Sequence, residues 1–340
     1  MSIVSTLSAS NMLRAAMSRT QTELARAQQE AGSGRLADAG LALGAGVSRT
    51  IDLRAMIGVH EGYAQANALT GDRLDASQNV LAALADLGDR LRNDVLTASN
   101  TSDASVATAA GYALSSAVGA LNTRFAGEYL FAGVDVDKQP IASPAQGAAA
   151  TEAAFLAAFG VAPGSAGAAA ISPAAMQQFL DTQFSALFSP TGWSANWSQA
   201  SDTPIVADVA PGRRLDASAT ANEQGVRKLV EAAAMLAHIG IDALGAGTRR
   251  VVLDQAARTL GGAATGLTQV QARLGIVQRE ATSASDAVKA QKAYLETQIG
   301  QIENVDPADA ATRISLLTTQ LETTYSLTAR ARQMSLLNYL

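Results

Sequence analysis

Between Leu267 and Ile302, apolar side chains return at intervals of three and four residues, with one seven-residue step after Val288: Leu267, Val270, Leu274, Val277, Ala281, Ala284, Val288, Leu295, Ile299 and Ile302. That alternation is the seam of a helix packed along a partner helix. It sits inside a stretch from about Arg249 to Glu303 that no strong breaker interrupts. At ~1.5 Å of rise per residue, such a helix would be roughly 80 Å long, which no small globular core can wrap.

The same spacing recurs at both ends. Residues 1 to 31 read as one amphipathic helix with Leu13, Met17, Thr20, Leu24, Ala27 and Ala31 on its seam, and Ile3 and Leu7 extend it toward the start. Toward the other end, "NVDPADAATR" carries a helix start: Asp306 as N-cap, Pro307 at the first helical position and Asp309 in the first turn. The helix that follows is read with Ile314, Leu317, Leu321 and Tyr325 on one face, and it runs into the apolar ending "RQMSLLNYL". A terminal run holding Leu336, Leu337, Tyr339 and Leu340 is an interaction surface or a liability unless a neighbour covers it.

Composition agrees with close helix packing. Hydrophobic residues make up 48% of the 340 positions but aromatics only 4%, and alanine dominates the remainder. Charged residues are 16%, against ~25% in an ordinary soluble domain, as expected where neighbours cover much of the surface. A net charge of -5 without a basic stripe argues against nucleic acid. The absence of cysteine excludes disulfides, thiolate nucleophiles and cysteine metal sites. The opening residues lack the basic and apolar regions of a cleavable signal peptide, and no run of ~18 apolar residues predicts membrane insertion.

Five domains follow from the breaks. Residues 1–46 hold the first heptad helix and a glycine-rich connector, since five glycines between Gly32 and Gly46 cost a continuous helix too much backbone entropy. Residues 47–141 form the N-terminal half of a helical bundle, with Leu53, Ile57, Leu74, Leu81, Leu84, Leu91 and Val95 on one stripe, a capped turn at "SNTSDAS", and a hairpin in "GEYLFAGVDVDKQPI". Residues 142–220 are a variable, surface-exposed insert of mixed structure. It carries Trp193 and Trp197, read as packing inside it, and a Pro-Gly hairpin in "TPIVADVAPGRRLDASAT"; the low-complexity stretch 142–170 is assigned no element. Residues 221–303 are the C-terminal half of the bundle and 304–340 the second heptad helix. The fold class is mainly α: an elongated antiparallel bundle of long helices with coiled-coil termini and a small α/β or β-rich insert at the far end.

No catalytic, cofactor-binding or metal site emerges. His60 and His238 have no ligand partner nearby in sequence, and the clusters "GSG" and "GAG" lack the spacing of dinucleotide or phosphate loops. Carboxylates are scattered along helix faces where solvation is their ordinary role, so the chain reads as neither an enzyme nor a cofactor binder.

The two ends and their breaks, "SGRLADAGLALGAG", "RFAGEYLFAGVDVDKQPI" and the ending "SLLNYL" resemble the flagellin and hook-associated protein family, and more narrowly its hook-filament junction branch. Tyr129 to Gly133 is the most discriminating piece. The resemblance covers roughly the first 140 and last 120 residues. It implies a flagellar subunit exported by the type III apparatus and working outside the cell. Its partners would be its own copies in a helical ring, a neighbouring hook-associated protein, flagellin, and an export chaperone at the C-terminal helix. The expected assembly interface is Ile3, Leu7, Leu13, Met17, Leu24, Ile314, Leu317, Leu321, Tyr325, Leu336, Leu337, Tyr339 and Leu340. Two other readings stand beside it: a flagellin that builds the filament, and a membrane-active type III translocator. A mechanical joint would need deformable connectors, a role the glycine-rich segments could take.

Overall fold

The computed structural model describes residues 3–97, 103–141 and 144–337, with side chains for residues 8, 11–97, 105–141 and 144–330. Its helices are α1 (Ile3–Ser33), α2 (Ala39–Leu43), α3 (Val47–Thr97), α4 (Asp103–Leu121), α5 (Pro144–Phe159), α6 (Pro173–Phe179), α7 (Pro190–Asn196), α8 (Gln224–His238), α9 (Ala246–Glu303) and α10 (Pro307–Leu337). Two short antiparallel pairs join them, β1 (Arg124–Phe125) with β2 (Glu128–Tyr129) and β3 (Val206–Ala210) with β4 (Arg213–Asp216). The chain forms two compact units, one of Met1–Glu61 with Lys289–Leu340, the other of Gly62–Val288. Helices α3 and α9 each contribute a segment to both.

The larger unit is built on the expected stripes. Leu74, Leu81, Leu84, Leu91 and Val95 of α3 are buried, as are Leu267, Val270 and Leu274 of α9, and buried Val252 and Leu260 extend the α9 stripe beyond the expected positions. Alanine-rich α4 packs against α8, whose Val226, Leu229, Val230, Met235 and Leu236 are buried. Glycine permits a close approach here, for a Cβ on Gly266 of α9 would lie 2.7 Å from Gly225 Cα of α8.

The stretch 142–170, to which the sequence reading gave no element, forms α5 from Pro144 and a 3-10 turn over Ala166–Ala170. The Ala-rich run has the strongest intrinsic helix preference of any composition, and it has something to bury: Gly147, Thr151 and Phe155 face inward. Phe155, Phe179, Phe184, Phe188, Trp193 and Trp197 then form a chain of ring contacts, with Trp193 and Trp197 stacked at 5.9 Å. Both tryptophans are buried in this cluster, which is continuous with the core of α3, α4, α8 and α9. Two Ser-Pro steps start helices here. Ser172 accepts the Ala175 N–H (3.3 Å) and Ser189 the Gly192 N–H (3.1 Å), each followed by proline at the first position.

The Pro-Gly hairpin forms as β3 and β4, turning at Gly212 with φ 73°. Val209 is buried against Ala281 and Ala284 of α9, and the Asn67 Nδ2 of α3 donates to its carbonyl (2.9 Å). The expected hairpin at 127–141 is shorter and earlier, a two-residue turn at Ala126–Gly127 between β1 and β2. Beyond it Leu130, Phe131 and Ala132 are fully buried. Gly133 adopts φ 66°, with the carbonyl oxygens of Ser201 and Thr203 only 2.6 Å from where a Cβ would stand, so the Tyr-Leu-Phe-Ala-Gly sequence is a packed crossing that admits only glycine at its end.

In the smaller unit α1 packs along α10. The connector between α1 and α3 follows a defined, hydrogen-bonded path. Gly34 takes φ 67°, Asp38 caps α2 by accepting the Leu41 N–H (2.9 Å), and Gly44 at φ 52° leads into a 3-10 turn continuous with α3. Glycine supplies the left-handed corners here while side-chain and backbone bonds hold the path. The Ser-rich turn expected before α4 falls largely outside the described residues.

Candidate assembly site

The seam of α1 is where its spacing put it. Thr20 and Ala27 are buried, while Leu13, Met17, Leu24 and Ala31 are half-buried along the same line. On α10, Leu317 is buried and Ile314 and Leu321 are half-buried, joined by Ala310 before them. The face then departs from the sequence reading. After Leu321 a four-three alternation steps three residues to Thr324 and four to Thr328, both half-buried. Tyr325 is one position off the seam and 47% exposed. Its hydroxyl accepts a hydrogen bond from Gln21 Nε2 of α1 at 3.0 Å, so the ring lies at the edge of the helix pair.

The pairing leaves much apolar surface wet. Met12 of α1 is 69% exposed and Leu316 of α10 67%, with Leu327 exposed as well. Ile51, Met56 and Val59 of α3 and Tyr294 of α9 are exposed in the same unit. These residues were not part of the sequence-derived interface, because a periodicity count selects the stripe that fills the internal seam. The only available signal was that each helix carries large apolar residues beyond its stripe. Side chains of Ile3, Leu7, Leu336 and Leu337 lie outside the described residues, as do Tyr339 and Leu340 entirely.

The threonine hydroxyls of α10 donate within the helix and need no outside acceptor. Its six threonines, 312, 318, 319, 323, 324 and 328, each donate the hydroxyl to the carbonyl four residues back at 2.7–3.0 Å.

The two helix breaks face each other. The Leu36 N–H donates to the Glu303 carbonyl (2.9 Å) and the Val305 N–H to the Gly34 carbonyl (3.0 Å), making an antiparallel bridge between Arg35 and Asn304. Buried Glu303 is held by Arg54 at 2.5 and 2.8 Å, and buried Glu30 accepts the Ala37 N–H (3.2 Å) with Arg313 3.6 Å away. Asp306 accepts the Ala308 N–H (2.7 Å) and Pro307 opens α10, as the sequence predicts.

The larger unit holds two perturbed groups. Burial raises the Glu231 carboxyl to about 7, against the opposing pull of Lys228 and Arg227, and burial lowers the imidazole of half-buried His238, against the charge of Glu152. The two residues sit seven apart on α8. Among the described residues no group of three or more His, Asp or Glu could hold a metal ion, and no helix is long and apolar enough to cross a membrane.

Residues 4–135 match the bacterial flagellin N-terminal helical region, and residues 258–340 match the bacterial flagellin C-terminal helical region; together these span well over half of the chain. No curated protein matches it in sequence. Among solved structures, one described as a flagellar hook-associated protein from Vibrio parahaemolyticus superposes with a TM-score of 0.51 at 13% identity, over 74% of this chain and 95% of that one. FlgL of Bacillus cereus superposes with a TM-score of 0.51 at 11% identity, over 73% of this chain and 99% of that one.

Proposed function

Since this chain belongs to the bacterial flagellin family and is a structural, non-enzymatic component of the flagellum, we propose that it is the subunit that joins hook to filament. The observation that carries its role as an assembly subunit is the incomplete burial of the α1–α10 pair. The seam is filled internally, yet Met12, Leu316, Tyr325 and Leu327 stay exposed. At ~25 cal/mol per Å2, covering several such side chains would stabilise association by several kcal/mol per subunit, repeated around a ring.

The narrower choice of the junction is supported by the two hook-associated folds, nearly all of whose length this chain covers, and by the Tyr-Leu-Phe-Ala-Gly crossing ending at Gly133. In this reading the partners are its own copies laterally, a hook-associated protein and flagellin axially, and an export chaperone on α10 before assembly. Of the residues expected at the interface, Leu13, Met17, Leu24, Ile314, Leu317 and Leu321 fill the seam within the subunit, so in this reading the surface between subunits comprises Met12, Leu316, Tyr325 and Leu327 with the terminal residues Ile3, Leu7, Leu336, Leu337, Tyr339 and Leu340.

Immunogold microscopy of intact flagella, with antibody raised against residues 145 to 215, tests this function. Label at the point where hook meets filament supports it. Label along the filament would make the chain a flagellin, and absence from flagella would return the membrane-active reading.

A further inference from the structure

The two helix breaks, bridged at Arg35 and Asn304, lie 269 residues apart in sequence, yet they are closed by a shared set of bonds. Each break alone would be a hinge: Gly34 supplies a left-handed corner after α1, and residues 304–306 separate α9 from α10. Together they cannot bend singly, because Leu36 to Glu303 and Val305 to Gly34 are hydrogen bonds between one break and the other. Glu303 is used twice, its carbonyl by Leu36 and its carboxylate by Arg54 of α3. Glu30 is used twice as well, by the Ala37 N–H and by Arg313 of α10.

The asymmetry of exposure makes this arrangement a lock. The two carboxylate side chains are 5% and 11% exposed, whereas their arginines are 53% and 56% exposed. Withdrawing an arginine costs that side chain little in water, but it leaves a carboxylate desolvated without its cation, which the fold tolerates poorly. The favourable exit for the carboxylate is to reach water itself. For Glu303, at the last position of α9, that movement pulls on the carbonyl that Leu36 holds.

We propose that the paired breaks form a single two-strand hinge, locked by Glu303–Arg54 and Glu30–Arg313, which opens in both strands together. The hinge lies wholly in the unit of Met1–Glu61 and Lys289–Leu340, and the inference does not depend on whether the chain serves junction or filament. Ordered connectors thus move as one ionic device and not as independent glycine linkers.

Hydrogen exchange on the full-length protein reads it directly. In the unaltered chain the amides of Leu36, Ala37 and Val305 should exchange at least tenfold slower than unstructured amides. Arg54→Ala and Glu303→Gln should each accelerate Leu36 and Val305 together, about tenfold or more, with the amides around Leu81 unaffected. Because the chain has no cysteine, Arg35→Cys with Asn304→Cys introduces a unique cross-strand pair. Oxidising it in the Glu303→Gln background should restore slow exchange on both strands. Acceleration on one strand only, unchanged rates in both variants, or unstructured rates in the unaltered chain would each overturn the proposal.

Discussion

Gly225 of α8 and Gly266 of α9 meet face to face, with 2.7 Å between the Gly225 Cα and the place a Cβ on Gly266 would take. No real Cβ tolerates that approach, so Gly266→Ala must push the helices apart, and a cost of about 1–3 kcal/mol in urea unfolding of the larger unit is expected. Gly261, five residues earlier on α9, has nothing within 4 Å. Gly261→Ala should stabilise by up to about 1 kcal/mol, and equal effects from the two substitutions would refute the close crossing.

Glu231 sets the pH dependence of the larger unit. Its carboxyl is raised from 4.5 to about 7 by burial, so the folded state holds a proton that the unfolded state releases. That contribution is fully present below pH 4.5 and is lost as pH rises to about 7. Glu231→Gln should therefore flatten the profile between those values and melt higher at pH 8, by an amount on the order of 2 kcal/mol. An acid limb should remain: burial holds His238 below its ordinary 6.5, favouring the fold above that value and withdrawing the benefit as pH falls. A pH profile unchanged by Glu231→Gln would contradict the first assignment, and a Glu231→Gln variant that loses no stability as pH falls below 6.5 would contradict the second.

Ala126 carries φ 51° at the exposed turn between β1 and β2, followed by Gly127 at φ 91°. Both central positions of such a two-residue turn favour left-handed backbone, where alanine costs about 1–2 kcal/mol. Ala126→Gly should raise the melting temperature by a few degrees, as ~1 kcal/mol does for a domain of this size, and Ala126→Asn should act in the same direction.

Asp306 caps α10. Its replacement by alanine should cost about 1 kcal/mol at the start of that helix, seen as faster exchange of the first-turn amides while the larger unit keeps its stability. Unchanged exchange would mean that the paired breaks hold the helix without the cap.

Removing residues 334–340 should leave the circular dichroism and melting of the larger unit intact and abolish assembly into flagella. Loss of helicity throughout the chain would show that these residues serve folding and not association.

How much of this was legible in sequence follows from how local each signal is. Periodicity alone located the seams of α1, α3 and α9, since a buried stripe must return every three or four residues whatever it packs against. The Asp306-Pro307 start and the Pro211-Gly212 hairpin were legible for a similar reason, each being set within a few residues. Tyr325 was misplaced because a tyrosine four residues after Leu321 looks more apolar than Thr324 three residues after it, while the alternation selects the threonine. Helix α5 was invisible because its alanine-rich sequence carries little contrast between faces; Phe155 acquires an inward side only from aromatics that arrive later in the chain. The paired breaks could not be read at all, because a bond from Leu36 to Glu303 leaves no trace in either neighbourhood.

The inward-turned hydroxyls of α10 bear on how its outer surface trades one environment for another. A threonine that already donates to its own backbone presents mainly its methyl group outward, and its hydroxyl forfeits no donated bond to solvent when a neighbour closes over it. Such threonines are close to indifferent between wet and dry surroundings: they remain wettable in a lone subunit and can be dehydrated by contact without rearranging their own bonds. For a part that must persist in solution before it is built in, reversibility at the interface comes from side chains that have already settled their polar demands at home.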